Sequence, residues 1–122
     1  MGRRSIQAGN MSNREIEKIS KALGDPYRLK IVQAICKEGW MQCGAITDML
    51  DLAQSTVSHH TKQLVDADLL IVEKEGRTIR YGINKSRFEA YLQLLQPYVA
   101  KAPADKQISP DNNKIVKNEN NI

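Results

Sequence analysis

The sequence predicts a mostly α-helical domain with one small β-hairpin, in the order helix, helix, helix, helix, hairpin, helix. Two observations support this fold class. Apolar residues recur at helical spacing over most of residues 11–100, and the pattern changes to strand-like runs only between Leu69 and Ile83. We expect one domain over residues 11–100, between a disordered arm at 1–10 and a disordered polar tail at 101–122.

The first two helices carry clear start and stop signals. Ser12 followed three residues later by Glu15 matches a capping box. Apolar residues then recur at helical spacing as far as Gly24, which is expected to cap the C-terminus of this first helix. The Asp25-Pro26 pair opens the second helix, with Asp as the N-cap and Pro at the first helical position. This helix is expected to end around Gly39.

Two further helices and a hairpin follow. The third helix is short, about Gly44 to Leu50, and a tight turn separates it from the fourth helix, Ala53 to Ala67. Two strand-like runs, Leu69–Lys74 and Thr78–Ile83, surround a turn at Glu75-Gly76-Arg77. These segments indicate a helix-turn-helix followed by a hairpin.

The last helix, Lys85 to about Val99, has a broad apolar stripe opposite Glu89, Gln93 and Gln96. The stripe exceeds what an edge helix of so small a domain can bury, so we expect a second copy of the chain to cover it; the alternative is a helix that only caps its own core. The predicted dimer interface joins this stripe to the apolar side of the first helix: Ile16, Ile19, Leu23, Phe88, Tyr91, Leu92, Leu95, Tyr98 and Val99.

The net charge of +4 does not by itself indicate nucleic-acid binding, because the excess lies mainly at the two ends of the chain. Residues 11–100 hold 12 Lys and Arg against 11 Asp and Glu, and phosphates are attracted by clustered charge. Two cysteines predict no disulfide framework, and no apolar run is long enough to span a membrane. We therefore expect a soluble cytoplasmic protein with no membrane partner.

The fourth helix carries the strongest functional signal. Val57, Thr61 and Leu64 face the core on a helical wheel, whereas the opposite side has short polar side chains and no acidic residue. Such a face lets a helix approach DNA closely and hydrogen-bond to base edges and phosphates, although an ordinary solvated face is the alternative. Its residues are Gln54, Ser55, Thr56, Ser58, His59, Lys62 and Gln63.

The neighbouring elements favour DNA binding. The short third helix and its turn make a helix-turn-helix, whose second helix enters the major groove. The hairpin would then be the wing of a winged helix, with Arg77 at its tip and Arg80 on its second strand. Guanidinium groups at these positions can reach flanking phosphates or the minor groove; a solvated charge is the alternative.

Three segments resemble the ArsR family of winged-helix repressors: LGDPYRLKIVQAI, QSTVSHHTKQLVDADLL and EGRTIRYGIN, which span roughly residues 20–84. TVSHH combined with a downstream GR-x-x-x-Y hairpin is more specific than either pattern alone. The resemblance implies a homodimer held by its first and last helices, a double-stranded DNA operator bound by the fourth helix and the wing, and release by an inducer. By position it assigns the operator contacts to Gln54, Ser55, Thr56, Ser58, His59 and Arg77.

The chain departs from the family pattern at two positions. Thr61 stands where the family usually has Leu, and its hydroxyl can bond back to a carbonyl one turn earlier. Asp68 stands where a Gly commonly ends the recognition helix, and Asp tolerates the left-handed conformation better than most residues. We expect neither change to alter the fold.

The metal sites known in the family do not carry over. The positions of its Cys-x-Cys pair fall on Gln42 and Gly44, on either side of Cys43, and the last helix offers Glu89 but no His. We therefore expect no metal and no cofactor, and an inducer that is a small molecule or a redox signal. Cys36 and Cys43, seven residues apart, form a redox switch in one interpretation; in the other, Cys36 fills the core.

The sequence thus predicts a sequence-specific transcriptional regulator, a repressor that binds an inverted-repeat operator as a dimer. One alternative is a winged-helix protein-interaction module without specific DNA binding, which the near-neutral charge of residues 11–100 supports. Another is a repressor that senses thiol oxidation through Cys36 and Cys43. An enzyme is not expected, since the sequence shows no nucleophile–base pair, Gly-rich phosphate loop or cluster of His and carboxylates.

Overall fold

The computed structural model describes residues 11–101 and 103. The arm predicted at 1–10, and the predicted tail apart from Lys101 and Pro103, lie outside these residues. Over the described part the elements are α1 (Asn13–Leu23), α2 (Pro26–Glu38), β1 (Trp40–Gln42), α3 (Cys43–Leu50), α4 (Gln54–Asp66), β2 (Leu70–Glu75), β3 (Thr78–Ile83) and α5 (Lys85–Ala100). The predicted order is confirmed, and β1 is an element that the sequence did not reveal. None of the described helices is long and apolar enough to cross a membrane.

The helix starts predicted for α1 and α2 are present in the structure. Ser12 Oγ accepts the N–H of Glu15 at 3.1 Å, and Glu15 Oε1 accepts the N–H of Ser12 at 2.8 Å, which completes a capping box. At α2, Asp25 Oδ1 accepts the N–H of Tyr27 at 3.0 Å, and Pro26 occupies the first helical position. These bonds satisfy N–H groups that a helix start otherwise leaves without a partner.

The capping box makes the stability of α1 sensitive to acid. The N–H of Ser12 lowers the pKa of Glu15 below its ordinary value of 4.5; burial opposes this shift, and the guanidinium of Arg87 adds to it. A carboxyl group whose pKa is lower in the folded chain stabilises the fold above its unfolded pKa. That contribution is lost as the pH falls through the folded pKa.

We expect Glu15→Gln to lower the free energy of unfolding by about 1 kcal/mol at neutral pH. The difference from the wild type should shrink as the pH falls below 4.5, the ordinary pKa of the group, which urea titrations over a pH series would measure. Glu17→Gln is the control, because the one ion pair of Glu17 within the described residues, with Lys21, is exposed. A difference that stays constant from neutral to acidic pH would contradict the role of the Glu15 charge.

The three strands form one antiparallel sheet in the order β1-β3-β2. The hairpin turn is one residue shorter than predicted, because Glu75 pairs with Thr78 and only Gly76 and Arg77 remain outside the strands. Gly76 has φ 63°, a left-handed conformation that suits glycine in a two-residue turn.

The short strand β1 attaches the hairpin to the rest of the domain. Trp40 lies opposite Gly82 on β3, and a Cβ atom at position 82 would come within 2.8 Å of the indole ring. Glycine therefore gives the tryptophan room to lie against the strand. The segment between α2 and α3 thereby joins the same sheet as the hairpin.

The core lies among the first four helices and the base of the hairpin. Its largest fully buried side chains are Ile19, Ile31, Ile35, Ile46, Val57, Leu64 and Leu69. The prediction that Ile19 lies at a dimer interface is wrong, because Ile19 is 0% exposed within the single chain. Helical spacing identified the apolar side of α1 but could not distinguish the part that packs inside the chain.

Both departures from the family pattern fit the fold as expected. The hydroxyl of Thr61 donates to the carbonyl oxygen of Ser58 at 3.0 Å, so this buried group has a hydrogen-bond acceptor. Asp68 adopts φ 65° just after α4, where a glycine would be unstrained. The side-chain nitrogen of Asn84 donates to the carbonyl of Asp68 at 2.9 Å and helps to hold this turn.

Candidate nucleic-acid interface

Helix α4 buries one side and presents the other to solvent. Val57, Thr61 and Leu64 are buried, as the helical wheel indicated. The residues expected to contact DNA lie on the opposite side: Gln54, Ser55, Thr56, Ser58, His59 and Lys62 are exposed, and Gln63 is half-buried. We call these seven side chains the α4 face. Its exposure makes it available to a ligand, and its contact with DNA stays a prediction.

The α4 face is free of acidic side chains up to Gln63, but an acid lies at its end. Lys62 Nζ and Asp66 Oδ2 are 3.1 Å apart, one helical turn from each other. The charge of Lys62 is therefore compensated in the free protein. Nearby, the amide nitrogen of Gln63 lies 2.9 Å from His59 Nε2, so these two polar groups hold each other in place.

The connection from α3 to α4 is short, as a helix-turn-helix requires. Helix α3 ends at Asp51, which adopts φ 56°, and Ala53 is the N-cap of α4. No side chain caps this N-terminus, where the first N–H groups of α4 point away from the helix body. An anion such as a DNA phosphate can accept hydrogen bonds from N–H groups in this position.

The two arginines of the hairpin differ in their surroundings. Arg77 is exposed at the tip, and no ion pair within residues 11–101 involves it. Arg80 donates from Nε and Nη2 to Oε1 of Glu73, at 2.9 and 2.7 Å, and its guanidinium lies 4.4 Å from the centre of the Trp40 ring. Both arginines were predicted to contact DNA. In the structure, the guanidinium of Arg80 already contacts Glu73 and Trp40 within the wing.

One residue of α4 that the sequence interpretation passed over is buried against α2. The His60 side chain is 11% exposed, and its Nδ1 lies 3.1 Å from Nη1 of Arg28. Helical spacing predicts this burial, because His60 follows Val57 by three positions and therefore lies near the buried side of α4. His59 next to it is exposed, so one histidine faces solvent and the other faces the interior of the domain.

The apolar stripe of α5 divides into two parts. Phe88 and Tyr91 pack against the core of their own chain, where the hydroxyl of Tyr91 lies 2.7 Å from Ser20 Oγ on α1. The outer part is exposed, by 61% at Leu92, 41% at Leu95, 73% at Tyr98 and 74% at Val99. A groove beside it is lined by Val32, Cys36, Ile83, Lys85, Phe88, Glu89 and Leu92. The outer stripe is thus available to a partner surface.

Cys43 is half-buried at the first position of α3, whereas Cys36 is exposed in this groove, so the interpretation that Cys36 fills the core is wrong. Both cysteines are free thiols. Their role in sensing stays a prediction. Within the described part of the chain, no three His, Cys, Asp or Glu side chains are grouped closely enough to hold a metal ion.

Residues 25–72 match a family model described as bacterial regulatory protein, arsR family. The arsenical resistance operon repressor of Bacillus subtilis is 33% identical over 79 residues, which cover 65% of this chain and 75% of that protein. The transcriptional repressor PagR of Bacillus anthracis is 33% identical over 87 residues, or 71% of this chain and 87% of PagR.

Solved structures agree with the sequence matches. The crystal structure of PagR superposes with a TM-score of 0.54 at 31% identity, over 65% of this chain and 92% of that chain. An ArsR-like transcriptional regulator from Rhodococcus sp. RHA1 gives a TM-score of 0.64 at 20% identity, over 72% of this chain and 82% of that chain. The second likeness shows the shared winged-helix fold.

Proposed function

The chain belongs to the arsR family of bacterial regulatory proteins, and from this premise we propose that it represses transcription as a homodimer bound to an inverted-repeat operator. The observation that carries the proposal is the α4 face, which is exposed and has short polar side chains. Hydroxyl, amide and imidazole groups of this size allow the helix backbone to approach base edges in the major groove.

The wing supplies the second contact in this proposal. Arg77 is exposed at a tight turn, so its guanidinium can reach a phosphate or the minor groove beside the half-site. Arg80 supports the wing instead, because its ion pair with Glu73 and its stacking on Trp40 occupy the guanidinium. We therefore retain Arg77 and no longer propose Arg80 as the wing contact with DNA.

The dimer in this proposal forms through the outer stripe of α5 together with Ile16 and Leu23 of α1, which are half-buried in the single chain. Burying the exposed Leu92, Tyr98 and Val99 would remove a large apolar surface from water. A twofold pair would present its two α4 helices about 34 Å apart, one turn of DNA, which explains why we expect an inverted repeat.

The inducer is a small molecule or a thiol oxidant in this proposal. Cys36 supports the thiol alternative, because it is exposed in the groove beside Phe88 and Leu92. Oxidation there would place a polar group beside Leu92, at the edge of the proposed dimer surface.

Operator binding can be tested by gel shift with the chain's own promoter and a random duplex of equal length. We expect a clear preference for the promoter. If about six phosphates are neutralised, the affinity should fall about 10³-fold between about 50 and 200 mM salt. Equal affinity for both duplexes at physiological salt would count against a sequence-specific repressor.

A protein-interaction module is the second candidate, and the charge distribution favours it. Residues 11–100 have nearly equal numbers of basic and acidic side chains, and both Lys62 on α4 and Arg80 on the wing are paired with carboxylates. Among residues 11–101, little unpaired positive charge therefore remains beside the α4 face. Replacing Ser58 and His59 by Glu separates the two candidates, because operator binding is lost in a repressor whereas partner binding survives in an interaction module.

A further inference from the structure

We propose that Arg28 is a positioning residue for operator binding, which holds α4 relative to α1 through a hydrogen bond to His60. The proposal rests on the proposed function, since it concerns how the α4 face is oriented toward DNA. Its evidence is a buried polar cluster that joins three helices behind this face.

Arg28 lies on α2 and uses its guanidinium to connect the helices on either side. Its Nε donates to the carbonyl of Ala22 at 2.8 Å and its Nη2 to the carbonyl of Lys21 at 3.1 Å, both in the last turn of α1. Its Nη1 lies 3.1 Å from Nδ1 of His60 on α4. The planar, rigid guanidinium fixes these three directions at once, as a flexible lysine ammonium cannot.

The hydrogen bond from Arg28 fixes which ring nitrogen of His60 is the acceptor. A guanidinium has donors only, so Nδ1 of His60 must be the acceptor, and in the neutral ring the proton is on Nε2. The side chains of Arg28 and His60 are 12% and 11% exposed. Asp25 Oδ2 lies 3.6 Å from Nη1 and 3.8 Å from Nδ1, so a carboxylate compensates the guanidinium charge. The Tyr27 ring stacks on His60 at 5.8 Å between centroids.

Because His60 is part of α4, the cluster affects how the α4 face is oriented toward DNA. His60 follows Ser58 and His59 of the α4 face, so a rotation of the helix at His60 moves those two side chains directly. Contacts with base edges require placement to within about 0.5 Å. Arg28 also bonds to the end of α1, beside the proposed interface residue Leu23. The cluster therefore fixes the reading helix relative to an element of the proposed dimer interface.

The acceptor at Nδ1 can be removed by one substitution at position 60 and kept by another. In His60→Asn the Oδ1 atom takes nearly the place of Nδ1 and can still accept from Arg28, whereas His60→Leu offers no acceptor. We expect His60→Leu to bind the operator at least about 10-fold more weakly, because without this hydrogen bond α4 is no longer held in the orientation that its base contacts need. His60→Asn should remain within about 3-fold of the wild type, and both should bind random DNA as the wild type does.

The measurements are operator and random-duplex affinities, with circular dichroism and sedimentation to confirm fold and dimer. If His60→Leu does not fold, Arg28→Lys replaces it, because lysine keeps the charge beside Asp25 but cannot bridge both helices; the same loss is expected. The proposal is overturned if His60→Asn and His60→Leu weaken operator binding equally. It is also overturned if the folded variant, His60→Leu or Arg28→Lys, binds the operator within about 3-fold of the wild type. A wild-type protein without operator preference would instead overturn the proposed function, and this inference with it.

Discussion

Replacing Ser58 and His59 together by Glu will lower operator affinity at least about 100-fold. Both side chains are exposed on the α4 face, and each good base contact contributes about 1–3 kcal/mol to discrimination. Two carboxylates would also face DNA phosphates at close range. Because neither residue packs in the core, the fold and the proposed dimer should persist. Fluorescence anisotropy with a labelled operator measures the loss, and sedimentation checks the dimer.

The control must change the net charge equally and elsewhere. Gln33→Glu combined with Gln96→Glu adds two negative charges at exposed positions on α2 and α5, and we expect affinity within about 3-fold of the wild type, because distant surface charges are screened. If the control weakened binding as much as the substitutions on α4, net charge rather than the α4 face would explain the effect. For an interaction module, binding of a protein partner would survive Glu at positions 58 and 59.

Replacing Leu92 and Leu95 by Glu will convert the proposed dimer to a monomer. Both leucines are exposed in the single chain, by 61% and 41%, so Glu is tolerated there in a monomer but not in an apolar interface. Burying a fully exposed leucine contributes about 1.5–3 kcal/mol, of which these partly exposed side chains contribute a share, and burying the charges of Glu costs more. A monomer would engage one half-site at a time, and operator affinity should fall by about 100-fold or more, as expected when two linked contacts become independent.

Helix α5 also offers a control with the same change in charge as the double leucine substitution. Gln93→Glu with Gln96→Glu places identical charges on α5 at two exposed polar positions outside the outer stripe. We expect this variant to sediment as a dimer and to bind the operator as the wild type does. A dimer that survives Leu92→Glu with Leu95→Glu would show that α5 only caps its own chain.

Local patterns in the sequence were sufficient for the helices and the hairpin. The capping box at Ser12, the Asp25-Pro26 start of α2 and the apolar spacing of α4 are each contained within a few neighbouring residues, and the structure has them all. The strand β1 was not predictable in this way. Its three residues have no period of their own, and they form a strand only because β3, some forty residues later, pairs with them.

The candidate site was predictable to the extent that exposure follows helical spacing. The α4 face emerged from the wheel, whereas the difference between Arg77 and Arg80 did not, because it depends on Glu73 across the hairpin and on Trp40 of β1. His60 was missed for a related reason. Its acceptor role requires Arg28, which is 32 positions away in sequence.

The contact between Trp40 and Gly82 has a consequence for how this sequence can vary over evolution. Any side chain at position 82 would collide with the indole, which lies within 2.9 Å of the place a Cβ would take. Conversely, a smaller residue at position 40 would leave a gap against the strand and remove the ring on which Arg80 stacks. Substitutions at these two positions should therefore arise together among homologues, with a compact residue at 40 wherever 82 is no longer glycine.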